Sequence, residues 1–211
     1  TYSAIDFNGL DYVTIKKLIV QKTGTSTAQR GITFRGQSDY NTIDSCTIEF
    51  TSLTSGSTSG GAYIAFTAST SSVTSYTSTY NGSYNTISNC LMRTTNSNSP
   101  GPTNAVVVMG SSSKYSSTPS NNTIKNNTIQ NFYYRIYYNY YANGDQFINN
   151  DCSRANATSN NAYSLSYMFY SYYTYSTNRS TTIAGNNVHD LPFKGATSGY
   201  TSTVYGMYTR Y

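Results

Sequence analysis

The sequence predicts an all-β solenoid, on two observations: an apolar beat at strand spacing that returns six times, and a second strand-like element between its copies. The first pattern occupies residues 13–20, 41–48, 85–92, 122–129, 145–152 and 181–188. A fixed pattern with variable spacers marks a repeat architecture, because each unit buries its apolar face only by stacking on its neighbours.

Aligned on their first apolar residue, the copies give three columns. The first is Ile15, Ile43, Ile87, Ile124, Phe147 and Ile183. Three residues on come Leu18, Cys46, Cys90, Asn127, Asn150 and Asn186, and two further on Val20, Ile48, Met92, Ile129, Cys152 and Val188. Period two marks a strand with one buried face, so the step of three is a slip in the alternation. At the slip stand Lys17, Ser45, Asn89, Asn126, Asn149 and Gly185. Asn and Gly tolerate left-handed backbone angles, which reads as a tight bend between two short strands. Lys17 fits that reading least well.

The second element is clearest where Ile5-Asp6-Phe7-Asn8-Gly9 matches Ile32-Thr33-Phe34-Arg35-Gly36. Weaker echoes begin at Tyr63, Val106, Tyr134, Leu165 and Val204. Each repeat is thus one strand, a connection, a bent strand pair and a longer connection. The Ser/Thr/Gly-rich stretches 51–61, 68–83, 97–103 and 110–120 read as loops leaving the coil rather than as domain linkers. One domain over 1–211 is expected.

The Asn-Thr-Ile-x-Asn-Asn/Cys-x-Ile strings resemble the right-handed parallel β-helix of the pectate-lyase-like superfamily, in its secreted bacterial type. That resemblance implies an all-β, right-handed parallel β-helix of about six coils, each with three short parallel strands and ladders of like residues. At about 4.8 Å per rung the core would be on the order of 30 Å tall.

Composition agrees with a narrow stacked core: 37% hydrophobic, 10% charged, no Trp and 24 Tyr. No apolar run approaches the roughly 20 residues of a membrane helix. The chain begins on Thr1 with no secretion signal, which reads as a processed form or a segment of a longer chain. Net charge is +5, with Lys and Arg scattered singly, so the basic stripe of a nucleic-acid binder is not expected. Lys16 and Asp44 share an outward column one coil apart and read as a surface ion pair.

Three cysteines, Cys46, Cys90 and Cys152, read as small ladder residues. A Cys46–Cys90 disulfide stays open, since the two should lie one rung apart. With a single histidine and no Cys-x-x-Cys pair, neither a metal nor a cofactor is expected.

Glycoside hydrolysis needs two carboxylates placed across a sugar bond. Asp39, Asp44 and Glu49 are the one local concentration of acids, and equivalent positions of neighbouring repeats are not acidic. The stacked acidic cluster of a lyase is missing, as are the Asn-Thr-Asp, Asp-Asp and Gly-His-Gly strings of polygalacturonases. His189-Asp190 reads as an exposed turn rather than a catalytic pair, because adjacent strand residues face opposite sides. No enzyme is expected. An outward Thr column (Thr14, Thr42, Thr86, Thr123, Thr182) raises ice or mineral binding, but Gln146 interrupts it.

Tyrosine is the strongest departure from ordinary composition, with 16 of the 24 lying beyond Phe132. The runs 133–141 and 167–175 put Tyr on both strand faces. Expected contact residues are Tyr133, Tyr137, Tyr138, Tyr140, Tyr141, Tyr170, Tyr172, Tyr173, Tyr205, Tyr208 and Tyr211. With them go Ile5 and Phe7 of the first strand, since neither terminal strand region shows a cap and open solenoid edges template further pairing. The functional expectation is a secreted, extracellular or cell-surface structural or adhesive protein whose partners are copies of itself, head to tail. A polysaccharide-binding or polysaccharide-cleaving β-helix is the alternative, with carbohydrate as the partner.

Overall fold

A computed structural model describes residues 3–26, 28–53, 60–69, 81–96, 99, 101–110, 121–154, 167–172, 180–191 and 205–210. All regular structure there is β. The first rung is β1 (Ser3–Asn8), β2 (Thr14–Lys16) and β3 (Ile19–Lys22), and the second β4 (Arg30–Arg35), β5 (Thr42–Asp44) and β6 (Thr47–Phe50). The third is β7 (Ala62–Phe66), β8 (Thr86–Ser88) and β9 (Leu91–Thr94), the fourth β10 (Asn104–Met109), β11 (Thr123–Lys125) and β12 (Thr128–Gln130). Then come β13 (Arg135–Tyr140), β14 (Asp145–Ile148) and β15 (Asp151–Ser153), β16 (Tyr167–Tyr172), β17 (Thr181–Ala184) and β18 (Asn187–His189), and finally β19 (Tyr205–Arg210).

Every third strand pairs in parallel, giving three sheets. The first runs β1-β4-β7-β10-β13-β16-β19, the second β2-β5-β8-β11-β14-β17 and the third β3-β6-β9-β12-β15-β18. This is the stacking of a parallel β-helix. Register follows the sequence columns: Ile15, Ile43, Ile87, Ile124, Phe147 and Ile183 are paired in order across the second sheet. Val20, Ile48, Met92, Ile129, Cys152 and Val188 do the same in the third. The bend is left-handed at every copy, with φ of 54–56° at Lys17, Ser45, Asn89, Asn126 and Asn149 and 65° at Gly185. Lys17 therefore obeys the column despite its side chain.

The first sheet carries a second slip. Tyr63 and Ile64, Ala105 and Val106, and Ile136 and Tyr137 are consecutive residues that both enter the core. Gly31 holds the same place in β4, where a Cβ would collide with Ile48 Cγ2 and the Tyr63 carbonyl. The rung partner of Val106 is Tyr137, three residues past the start of the echo at Tyr134. The outer face of the sheet is also buried at Thr33, Ala65, Val107 and Met109. Burial on both faces is why 62–66 and 104–109 read as near-continuous apolar runs rather than alternating ones.

Two amide ladders line the corners. In one, Asn41 Nδ2 donates to Asn85 Oδ1 (3.0 Å), Asn85 Nδ2 to Asn122 Oδ1 (3.1 Å), and Asn122 Nδ2 to Asp145 Oδ1 (3.3 Å). In the other, Asn127 Nδ2 donates to Asn150 Oδ1 (2.9 Å) and Asn150 Nδ2 to Asn186 Oδ1 (3.0 Å). Each side chain also serves a backbone group of an adjacent rung, for example Asn41 N to Asn85 Oδ1 at 2.9 Å. Buried corner backbone that no sheet satisfies is thereby paired.

The cysteines are free and buried. Cys46 Sγ and Cys90 Sγ turn to the carbonyls of Asp44 (3.4 Å) and Ser88 (3.2 Å) instead of to each other. Burial pushes the Cys90 thiol up to about 12 and raises that of Cys152 as well. A native protein is therefore expected to give no fast reaction with a disulfide reagent at pH 8 and three thiols after unfolding, read by absorbance.

Of the predicted loops, 54–59, 70–80, 97–98, 100 and 111–120 lie outside the described residues. No helix among the described residues is long and apolar enough to cross a membrane.

Candidate functional site: two tyrosine surfaces

The strand order places tyrosine on two surfaces, and the predicted contact residues divide unevenly between them and the core. Tyr137 and Phe7 are core residues: Tyr137 is fully buried, and Phe7 stacks on Phe34 with ring centres 4.8 Å apart. Ile5 packs against the same core. All three thus stand in inward columns of the first sheet. Tyr141 is buried too, edge-on to Tyr140 at 4.4 Å. Tyr133 sits apart, half-buried at the corner, its N–H on the Pro102 carbonyl at 2.8 Å. Tyr173 and Tyr211 lie outside the described residues, and Tyr205 is described as backbone of β19.

Tyr138, Tyr140, Tyr170, Tyr172 and Tyr208 do come together, on the outer face of the first sheet. Tyr140 stacks on Tyr172 (4.6 Å, 7°) and Tyr170 on Tyr208 (5.2 Å, 20°), as their rung pairing requires. The Arg135 guanidinium lies 4.3 Å from the Tyr134 ring centre and 4.4 Å from that of Tyr138. Burial lowers its pKa, partly offset by the tyrosines around it. Ring faces are a suitable seat for a desolvated guanidinium. Tyr138 is only 7% exposed, while Tyr140, Tyr170, Tyr172 and Tyr208 are half-buried.

The open surface is one the Tyr-rich runs do not reveal. Tyr12, Tyr40 and Tyr84 precede β2, β5 and β8, and their rings form a stack with spacings of 5.1 and 4.9 Å and planes within 3°. They are 75%, 47% and 49% exposed. All three have left-handed backbones, with φ of 58°, 57° and 58°. The next rungs fill that position with Asn121 and Gly144. Behind the stack, Asp39 N donates to Asp11 Oδ1 and Ser83 N to Asp39 Oδ1, both at 2.7 Å. Partial desolvation and its neighbours Tyr84 and Tyr12 raise the Tyr40 phenol. The signal was present as a column one residue ahead of Val13, Asn41 and Asn85, but each tyrosine there is isolated in sequence.

The acids are dispersed as structural pairs. Lys16 lies 3.9 Å from Asp44, the expected surface pair, and Asn89 and Ser88 hydrogen bonds lower the Asp44 carboxyl. Glu49 takes Gln21 Nε2 at 2.6 Å and Arg93 at 2.7 Å, and these contacts lower it too. Asp145 differs: it is fully buried, Tyr137 Oη is 3.0 Å from its Oδ2, and burial lifts its pKa to about 7. Arg154 is equally buried, and its pKa falls to about 10.

His189 departs from the expectation of opposite faces. Asp190 follows β18 with φ of 48°, which swings its carboxylate to His189 Nδ1 at 2.8 Å. Asp151 Oδ1 lies 3.1 Å from Nε2 on the other side. The Asp190 hydrogen bond, aided by Asp151, raises the imidazole pKa. A raised histidine value means its stabilisation is complete below the unfolded pKa of about 6.5 and fades as pH climbs through the folded value. Proton NMR is expected to show the His189 midpoint above 6.5, moving down in Asp190→Asn. Among the described residues no group of His, Cys, Asp and Glu is arranged to hold a metal ion.

Neither a protein-family model, nor a curated protein, nor a solved structure matches this chain.

Proposed function

We propose that this chain is a non-enzymatic structural or adhesive protein of the extracellular space, a subunit of a bacterial surface fibre. It is built on a right-handed parallel β-helix of the pectate-lyase-like type. The observation that carries the reading is the Tyr12–Tyr40–Tyr84 stack. A bulky residue in the left-handed region costs on the order of 1 kcal/mol or more, and such strain collects where a side chain serves a contact. Asn121 and Gly144 meet the same backbone requirement cheaply, so three successive tyrosines favour a role for the phenols themselves. Stacked rings use up their faces on one another and offer edges and hydroxyls, which suits a flat protein surface.

Copies stacked head to tail would use the open edges of β1–β3 and β17–β19. Side-by-side contact through the exposed stack is the contact we favour. The test is sedimentation and electron microscopy of the wild type and of the triple variant Tyr12→Asn, Tyr40→Asn, Tyr84→Asn. Concentration-dependent assemblies that disappear in a variant with unchanged or higher melting temperature support the proposal. A wild type that stays monomeric at every concentration overturns it.

A further inference from the structure

The Tyr12–Tyr40–Tyr84 stack is also where a one-electron oxidant first meets an oxidisable side chain. After tryptophan and the cysteine thiolate, tyrosine is the side chain most easily stripped of one electron. The chain has no Trp, and Cys46, Cys90 and Cys152 are buried away from an oxidant. Among the described tyrosines these three are the exposed ones, whereas those of 133–141 and 167–172 are buried or half-buried. Asp11 and Asp39 directly precede Tyr12 and Tyr40, and both carboxylates act on the Tyr40 phenol. Negative charge beside a phenol favours loss of its electron.

A radical formed here has its partner already in place. Rung pairing of Thr14 with Thr42 and Thr42 with Thr86 holds the rings 5.1 and 4.9 Å apart, with planes within 3°. Tyr12 is 75% exposed, so its side chain has room to tilt and bring the ring edges together. We infer that the stack is an oxidative cross-linking site, where adjacent phenols couple to dityrosine under an oxidant of the peroxidase–hydrogen peroxide class. Each of two phenols gives up one electron and its hydroxyl proton. The two phenoxyl radicals join through the carbons ortho to oxygen, and the ring hydrogens at those carbons move to the oxygens as aromaticity returns. The two electrons and two protons reduce one peroxide to two waters. The link ties residues 28 or 44 positions apart, and long closures of this kind stabilise most in the chain-entropy account. It forms within one molecule and does not need the side-by-side contact proposed above.

The test treats the dilute full chain with a haem peroxidase and limiting hydrogen peroxide. Dityrosine fluorescence, gel filtration and mass spectrometry of proteolytic peptides then read the product. Expected is a monomer lighter by two hydrogens, with Tyr12 joined to Tyr40 or Tyr40 to Tyr84. Tyr40→Phe keeps a ring in the stack but removes the middle phenol, so nearly all of the monomer's dityrosine should be lost. Tyr12→Phe should retain the Tyr40–Tyr84 link. A wild type without dityrosine overturns the inference, as does full yield in Tyr40→Phe or a link mapped to other tyrosines. Dityrosine confined to covalent dimers overturns it too, while leaving the side-by-side contact standing. A chain that never assembles yet still forms the link supports this inference and overturns the assembly.

Discussion

Asp145→Asn is expected to stabilise the protein by about 4 kcal/mol at pH 8 and by less than about 1 kcal/mol at pH 4. The carboxyl sits at the end of the Asn41–Asn85–Asn122 ladder, fully buried, with Asn122 N donating to Oδ1 at 2.9 Å and Tyr137 Oη at Oδ2. Burial lifts its pKa to about 7, against about 3.9 in an unfolded chain. A carboxyl whose folded value is raised lends its full stability below the unfolded value, and that stability drains away as pH rises toward the folded one. Three units at about 1.36 kcal/mol each set the size of the loss. Asparagine keeps an acceptor for Asn122 and offers an N–H to Tyr137 Oη, and it has no charge to desolvate. Urea midpoints at pH 4, 6 and 8 check the result: the gap between variant and wild type should widen across the series, the wild type losing the more. A constant gap would mean that Asp145 does not titrate in this range.

The inward columns were legible because their rule is local. Period two, a slip of one residue and a left-handed position appear in every copy, and even Lys17 obeys. The first sheet was harder to read. Its strands are buried on both faces and carry a second slip at Gly31, Tyr63, Ala105 and Ile136, so alternation could not say which side Tyr137 takes. Local density of tyrosine pointed to 133–141, where burial is deep, and away from Tyr12, Tyr40 and Tyr84. Those three are separated by 28 and 44 residues and become neighbours only when rungs pair Thr14 with Thr42 and Thr42 with Thr86. His189 and Asp190 misled for the opposite reason: the strand rule holds only inside a strand, and β18 ends at His189.

Asn85→Leu is expected to cost roughly 3–6 kcal/mol, enough to bring a domain of ordinary stability close to unfolding. Leucine fills a similar space, so the loss comes from orphaned polar groups rather than from a cavity. Asn85 Oδ1 accepts from both Asn41 N and Asn41 Nδ2, and its Nδ2 donates to the Ser38 carbonyl at 2.9 Å. All of these groups are in the buried corner, where no water replaces the missing partner. The ladder also has a direction. Each Oδ1 accepts from the rung nearer β1, as Val13 N does on Asn41 Oδ1 at 2.8 Å. At the first rung the same column holds Val13, an apolar residue. Urea midpoints give the size, and amide exchange gives the location. Protection should fall first at Asn41 and Val13, the rungs that lean on Asn85. If exchange instead rises evenly over all three sheets, the ladder is not a local clamp and its rungs fail together.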